Sequence, residues 1–159
     1  MSDNHKLDTD TQVFFYEQDF YVLSNFSAFQ VQWKGITFAT SEHAYHFEKF
    51  WGVAGPADQI AEQIVNAPSA HEAFKIAERN KAFRRAFWDE DKFRVMGEIL
   101  RAKVSQHGYV YKKLLATGDR DLIEASWRDE VWGWGPNRDG QNMLGKLWME
   151  IRAELRATS

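Results

Sequence analysis

Thr40-Ser41-Glu42-His43-Ala44-Tyr45-His46-Phe47-Glu48-Lys49-Phe50-Trp51 is the stretch around which the rest of this chain is organised. Read as a helix, it sets Glu42, Tyr45, His46 and Lys49 at i, i+3, i+4 and i+7, so that a carboxylate, a phenol, an imidazole and an ammonium share one face. Ala44, Phe47, Phe50 and Trp51 on the opposite side supply the apolar surface to hold the helix down while its polar face looks into a cleft. Thr40 or Ser41 can cap the start. Glu42 then falls in the first turn, where unsatisfied backbone N–H groups and the helix dipole keep a carboxylate ionised and fixed. The competing reading is a surface helix that carries an acid in its first turn, as many do.

Upstream, Phe29-Gln30-Val31-Gln32-Trp33 alternates with period two, Lys34-Gly35 is a tight turn and Ile36-Thr37-Phe38 returns, which predicts a hairpin leading into the helix. Before it, Val13-Phe14-Phe15-Tyr16 reads as a first strand, and Leu23-Ser24-Asn25-Phe26-Ser27 as an aromatic, turn-rich loop in which Asn25 is a candidate site residue. Residues 1–12 are polar and read as a flexible tail. Downstream, Pro56 opens a helix to Val65, Ser69 caps another, and the basic run Arg79, Lys81, Arg84 and Arg85 precedes Phe87-Trp88-Asp89. Asp89 or Asp91 starts the strongest helical stripe, through Phe93, Met96, Leu100 and Val104, with Arg101 and Lys103 off the stripe. A short helix from Tyr109 to Ala116 follows, and then Leu122 to Ala125 as a strand or edge segment. The segment Trp127 to Pro136 is too rich in Gly and Trp for regular structure. Leu144, Leu147, Trp148, Ile151 and Leu155 make a final amphipathic helix behind a Gly140-Gln141-Asn142 turn.

At 159 residues, with 44% hydrophobic and 27% charged residues, the chain is expected to be one soluble domain over residues 13–157, and it has no apolar run long enough to span a membrane. With no cysteine there is no disulfide, thiolate metal site or cysteine nucleophile, and a cytoplasmic location is expected. The net charge of −3 argues against broad binding of a phosphate backbone but leaves room for one phosphate on a local basic patch. Seven Trp and twelve Phe exceed what a core this size requires, so some rings are expected to line a pocket. Glu42, His43 and His46 could ligate a metal, but no third ligand with a recognisable spacing follows, and no metal site is expected. No Ser lies in a nucleophile elbow.

What remains is two acids, Glu42 and Asp129, with aromatic planes, scattered cations, and a Trp132-Gly133-Trp134-Gly135 loop near Asn142, whose alternative is a surface turn with its Trp rings tucked inward. That equipment suits a nucleobase–ribose–phosphate. Splitting a glycosidic bond builds positive charge at the anomeric carbon, which a fixed carboxylate stabilises while it orients or deprotonates water. Lys49 could polarise the departing side or bind phosphate.

Eight blocks in order resemble one family. They are Leu23-Ser24-Asn25-Phe26, Ser41 to Tyr45 with Lys49-Phe50, Trp88-Asp89, Leu100-Arg101-Ala102-Lys103, Leu114 to Gly118, Leu122-Ile123-Glu124, Asp129 with Trp132-Gly133, and Asn142 to Leu147. Together, over about residues 13–156, they are similar to the NADAR, or YbiA-like, proteins. The resemblance implies a single compact α+β domain, mainly helical, with a small N-terminal antiparallel sheet. It also implies N-glycosidase activity without a cofactor, on ribosylaminopyrimidine 5-phosphates of riboflavin biosynthesis. Removal of ADP-ribose from nucleobases, nucleic acid included, or from proteins is the alternative, and a non-catalytic nucleotide-binding module a third reading. By motif position it implies Glu42, Trp88 and Asp129 as the catalytic set, with Trp88 stacking on the base. Asn25, Lys49, Trp132, Gly133 and Asn142 are then substrate-binding. Arg79-Asn80, where the family often has Gly-Arg, and Val104, where Phe is common, depart from the pattern away from the catalytic set.

Overall fold

The computed structural model describes residues 8–15 and 18–158, so the first seven residues of the expected tail and Tyr16 of the first expected strand lie outside the described residues. The chain forms two compact units, one over residues 25–106 and one built from the segments on either side. The α+β, mainly helical class expected from the sequence is borne out.

In the central unit, the antiparallel hairpin of β2 (Val31–Trp33) and β3 (Ile36–Phe38) forms with Val31 opposite Phe38, β1 being the strand Gln12–Phe14 of the other unit. Its two-residue turn places Lys34 and Gly35 at φ 52° and 77°, the left-handed pair whose twist matches a hairpin. The hairpin delivers the chain to α1 (Ser41–Glu48), which Thr40 caps by accepting the His43 N–H. Three further helices follow: α2 (Pro56–Val65), with Pro at its first position, α3 (Ala70–Arg79), capped by Ser69 through the Glu72 N–H, and α4 (Trp88–Gln106).

Helix α1 packs against α2, α3, α4 and the hairpin, and all eight of its residues are buried. The surface-helix reading therefore fails. Helix α1 is also shorter than the stretch that announced it. Lys49 closes it by donating its N–H to the carbonyls of His46 and Phe47, Phe50 stays in the core, and Gly52 at φ 75° turns the chain away, which leaves Trp51 exposed. Along α4 the apolar stripe is joined by Lys103, which the sequence placed off it. Its Nζ is fully buried and donates to Ser27 Oγ at 3.0 Å, beside the Phe29 ring.

In the other unit, β1 (Gln12–Phe14) pairs in parallel with β4 (Asp121–Ile123), Val13 opposite Leu122, and both of these side chains are fully buried. A 3-10 segment, Gln18–Leu23, and helices α5 (Gly108–Ala116) and α6 (Met143–Ala157) complete it. Helix α6 lies against β4 so closely that a Cβ on Gly145 would come within 2.0 Å of the Leu122 carbonyl oxygen. The buried Trp148 of α6 satisfies its indole N–H on the Leu23 carbonyl at 2.8 Å. Among the described residues no helix is long and apolar enough to cross a membrane.

Candidate active site

Because all eight residues of α1 are buried, its polar groups pair inside the protein, with one exception at His46. His43 spends both ring nitrogens on structure, Nδ1 meeting Thr40 Oγ1 at 2.8 Å and Nε2 donating to the Ala67 carbonyl at 3.0 Å. Glu48 receives the Trp33 indole N–H at 2.7 Å and lies near Lys34 and Arg85. One turn apart, Glu42 and His46 pair with each other, Oε2 to Nε2 at 2.7 Å, with the imidazole 2% and the acid 9% exposed. Burial outweighs the adjacent Glu42 charge and holds His46 below its ordinary value. At neutral pH it is therefore a neutral ring whose Nε2–H donates to the carboxylate, while Nδ1 has no hydrogen-bond partner among the described residues.

Asn25 fixes the start of the same helix. Its carbonyl accepts the Glu42 N–H at 3.2 Å, its Oδ1 accepts from Ser41 Oγ at 2.9 Å, and its Nδ2 points at Met96 Sδ, 3.4 Å away. Lys49 extends over the Tyr45 ring at 5.1 Å. Burial pulls its ammonium down to about 8, against the opposing pull of Glu42 and Glu78 and with the nearby charges of Arg84 and Lys81 adding to the fall. Trp88 is 3% exposed, with Tyr45 packed against its ring at 5.3 Å and the Arg85 guanidinium over it at 5.0 Å. Arg85 is in turn tied to α1, its N–H donating to the Lys49 carbonyl at 2.7 Å and its Nε to the Glu48 carbonyl at 2.8 Å. Asn25, Glu42, Lys49 and Trp88 are thus brought into one connected cluster.

Asp129, Trp132, Gly133 and Asn142 form a second cluster, in the unit built from the flanking segments. Asp129 Oδ1 accepts the N–H groups of Val131 and Trp132 at 2.9 and 2.8 Å, and the residue lines a depression of about 530 Å³ with Trp127, Arg128, Glu130, Val131 and Pro136. A Cβ on Gly133 would stand 3.0 Å from three carbonyl oxygens, so the loop closes on itself there. Asn142 sits at φ 50° and does not cap α6 with its side chain. Its amide instead bridges β4, accepting the Glu124 N–H and donating to the Leu122 carbonyl, each at 2.9 Å. The N–H groups of residues 142–144 go to the carbonyls of Gly133, Val131 and Trp132, which is how the first turn of α6 is satisfied. The Gly- and Trp-rich segment is therefore an ordered cap, held by backbone bonds.

Sequence reasoning left His46 out of the site, although it was legible, being four residues after Glu42 on a helix. The backbone of Phe87 at φ 62° and its 77% exposure, beside Trp88, follow from no local pattern.

Residues 14–156 match the model of the NADAR domain. N-glycosidase YbiA of Escherichia coli (strain K12) is 36% identical over 149 residues, covering 92% of this chain and 89% of that protein. N-glycosidase Npun_R5314 of Nostoc punctiforme is 35% identical over 146 residues, 91% and 92% of the two chains. Riboflavin biosynthesis protein VVA0006 of Vibrio vulnificus is 34% identical over 145 residues, but these span 38% of its length. The NMR structure of Escherichia coli YbiA superposes with a TM-score of 0.83 at 33% identity, covering 96% of this chain and 89% of that one. Sequence blocks, fold and relatives agree, and this chain belongs to the NADAR family.

Proposed function

We infer that this protein is an N-glycoside hydrolase that splits the C–N bond of phosphoribosylamino-pyrimidine intermediates of riboflavin biosynthesis into the free pyrimidine and ribose 5-phosphate. The observation that carries the reading is a buried carboxylate, Glu42, locked by a 2.7 Å bond from a neutral imidazole and accompanied by a buried lysine near its titration point. As the C–N bond lengthens, the anomeric carbon becomes cationic, and a carboxylate already oriented in a water-poor wall stabilises that charge without reorganising. The same carboxylate draws a proton from water as its oxygen bonds to that carbon, and the departing nitrogen keeps the bond's electron pair and takes up a proton. Lys49 polarises this departing side. Asn25 holds the helix start that aims Glu42, and Trp88 holds Tyr45 and Arg85 around Lys49. Asp129 and the Trp132–Gly133 loop retain the second-carboxylate and substrate-binding roles that the family resemblance gives them, with Asn142 as the pin that fixes the loop to β4. The names of the N-glycosidase and riboflavin relatives support this reaction, and a cysteine-free chain acting on a phosphorylated small molecule fits the cytoplasm.

Glu42→Gln is the test. It keeps the size and one acceptor of the side chain, so binding should persist while release of ribose 5-phosphate, followed by mass spectrometry, falls by ~10³-fold. Undiminished product release by the variant would remove Glu42 from the reaction.

A further inference from the structure

Next to the Glu42 cluster lies a cleft of about 330 Å³ lined by the cations Lys81, Arg84 and Arg85, the rings of Phe87 and Trp88, and the acids Asp89 and Glu90. Two of these residues are committed to the fold. Arg85 is bonded to α1 and to Asp91 at 2.8 Å, and Trp88 is buried between Tyr45 and Arg85, with little ring left to offer a ligand. Phe87 and Lys81 are exposed, and Arg84 is half-buried. Phe87 is 77% exposed and sits at φ 62°, a conformation that Gly, Asn or Asp adopts far more readily than an aromatic residue. Neither burial nor backbone preference accounts for a phenyl ring at this position, whereas contact with a ligand does. Arg84 is 4.0 Å from its nearest carboxylate, Asp89, which is long for a hydrogen-bonded pair, and the Lys81 side chain, paired with Glu78 at 3.1 Å, is 58% exposed.

We propose that Phe87 is the ring on which the pyrimidine of the substrate stacks, and that Arg84 and Lys81 take its 5-phosphate. The inference rests on the reading of the reaction given above and moves base recognition from the buried Trp88 to its exposed neighbour. The Arg85 N–H bond to the Lys49 carbonyl ties this cleft to the end of α1, so a ligand seated here lies beside Lys49. A planar base needs only a π-face to stack on, and a guanidinium suits a phosphate through paired N–H bonds.

The experiment is calorimetric titration of the full chain with three probes: cytidine 5-phosphate, which carries ring and phosphate, ribose 5-phosphate, which lacks the ring, and cytidine, which lacks the phosphate. Phe87→Asn should weaken cytidine 5-phosphate by roughly 10-fold and leave ribose 5-phosphate unchanged. Its melting temperature should meet or exceed the wild-type value, because Asn tolerates the left-handed backbone. Phe87→Tyr should bind as wild type does. Arg84→Ala combined with Lys81→Ala should weaken both phosphates by roughly 10-fold, less so at high salt, and spare cytidine. Unchanged cytidine 5-phosphate affinity in Phe87→Asn, or no binding of this probe by the wild type, would overturn the proposal. Turnover separates the two readings. A wild type that releases ribose 5-phosphate with a KM indifferent to Phe87→Asn defeats the stacking role alone, whereas the expected binding pattern with no turnover defeats only the glycosidase reading.

Discussion

The bond from His46 Nε2 to Glu42 Oε2 makes the carboxylate proposed for catalysis one half of a dyad. A hydrogen bond to an ionised group contributes about 1.5–3 kcal/mol, and removing the donor leaves a buried acceptor unsatisfied. His46→Leu should therefore lower kcat by roughly 10- to 100-fold, with a smaller loss in His46→Gln, whose amide can still donate. Steady-state kinetics of the two variants, each checked for an intact fold by circular dichroism, tests this, and wild-type kcat in His46→Leu would show that Glu42 does not depend on the imidazole. The dyad was available to the sequence because i, i+4 spacing on a helix is local. Its burial was not, since that follows from three other helices and the hairpin closing around α1.

At the scale of elements, local chemistry set where helices begin and where the hairpin turns. Thr40, Pro56 and Ser69 begin helices as their capping chemistry dictates, and Lys34-Gly35 turns the hairpin. Partners remote in sequence were not legible. Nothing near Val13 announces a parallel match with Leu122, and nothing near Asn142 announces that its amide will bond β4 while backbone carbonyls cap α6. Asp129 has local partners instead, since as a turn residue it accepts the N–H groups of Val131 and Trp132 through Oδ1 whatever else it does. Two substitutions separate these functions. Asp129→Asn keeps an oxygen for the turn and removes the charge, so it should hold the melting temperature and lose at least 10-fold in kcat/KM. Asp129→Ala should lose activity and about 1 kcal/mol of stability as well. If Asp129→Asn turns over as wild type does, the residue is a loop builder only.

Over the whole molecule, placing Glu42, His46, Glu48, Lys49 and Lys103 in the interior gives up stability that apolar residues of similar size would supply. The penalty at Lys49 can be measured through pH. Its folded-state value of about 8 lies below the ordinary value of 10.5, so the native protein holds this proton less tightly than the unfolded chain does. Below pH 8 both states are protonated and the full penalty is present. Between about pH 8 and 10.5 the unfolded chain binds more protons, so stability rises with pH, by on the order of 3 kcal/mol in total. Lys49→Met removes the titrating group and with it this rise, while groups common to both proteins cancel in the comparison. Unfolding free energies from urea titrations should favour Lys49→Met most at pH 7, and the gap should close steadily as pH passes from 8 towards 10. A gap that stays constant over that range would mean that the Lys49 ammonium is not penalised by its surroundings, and the lysine would then lose its place as the group poised to act on the departing nitrogen.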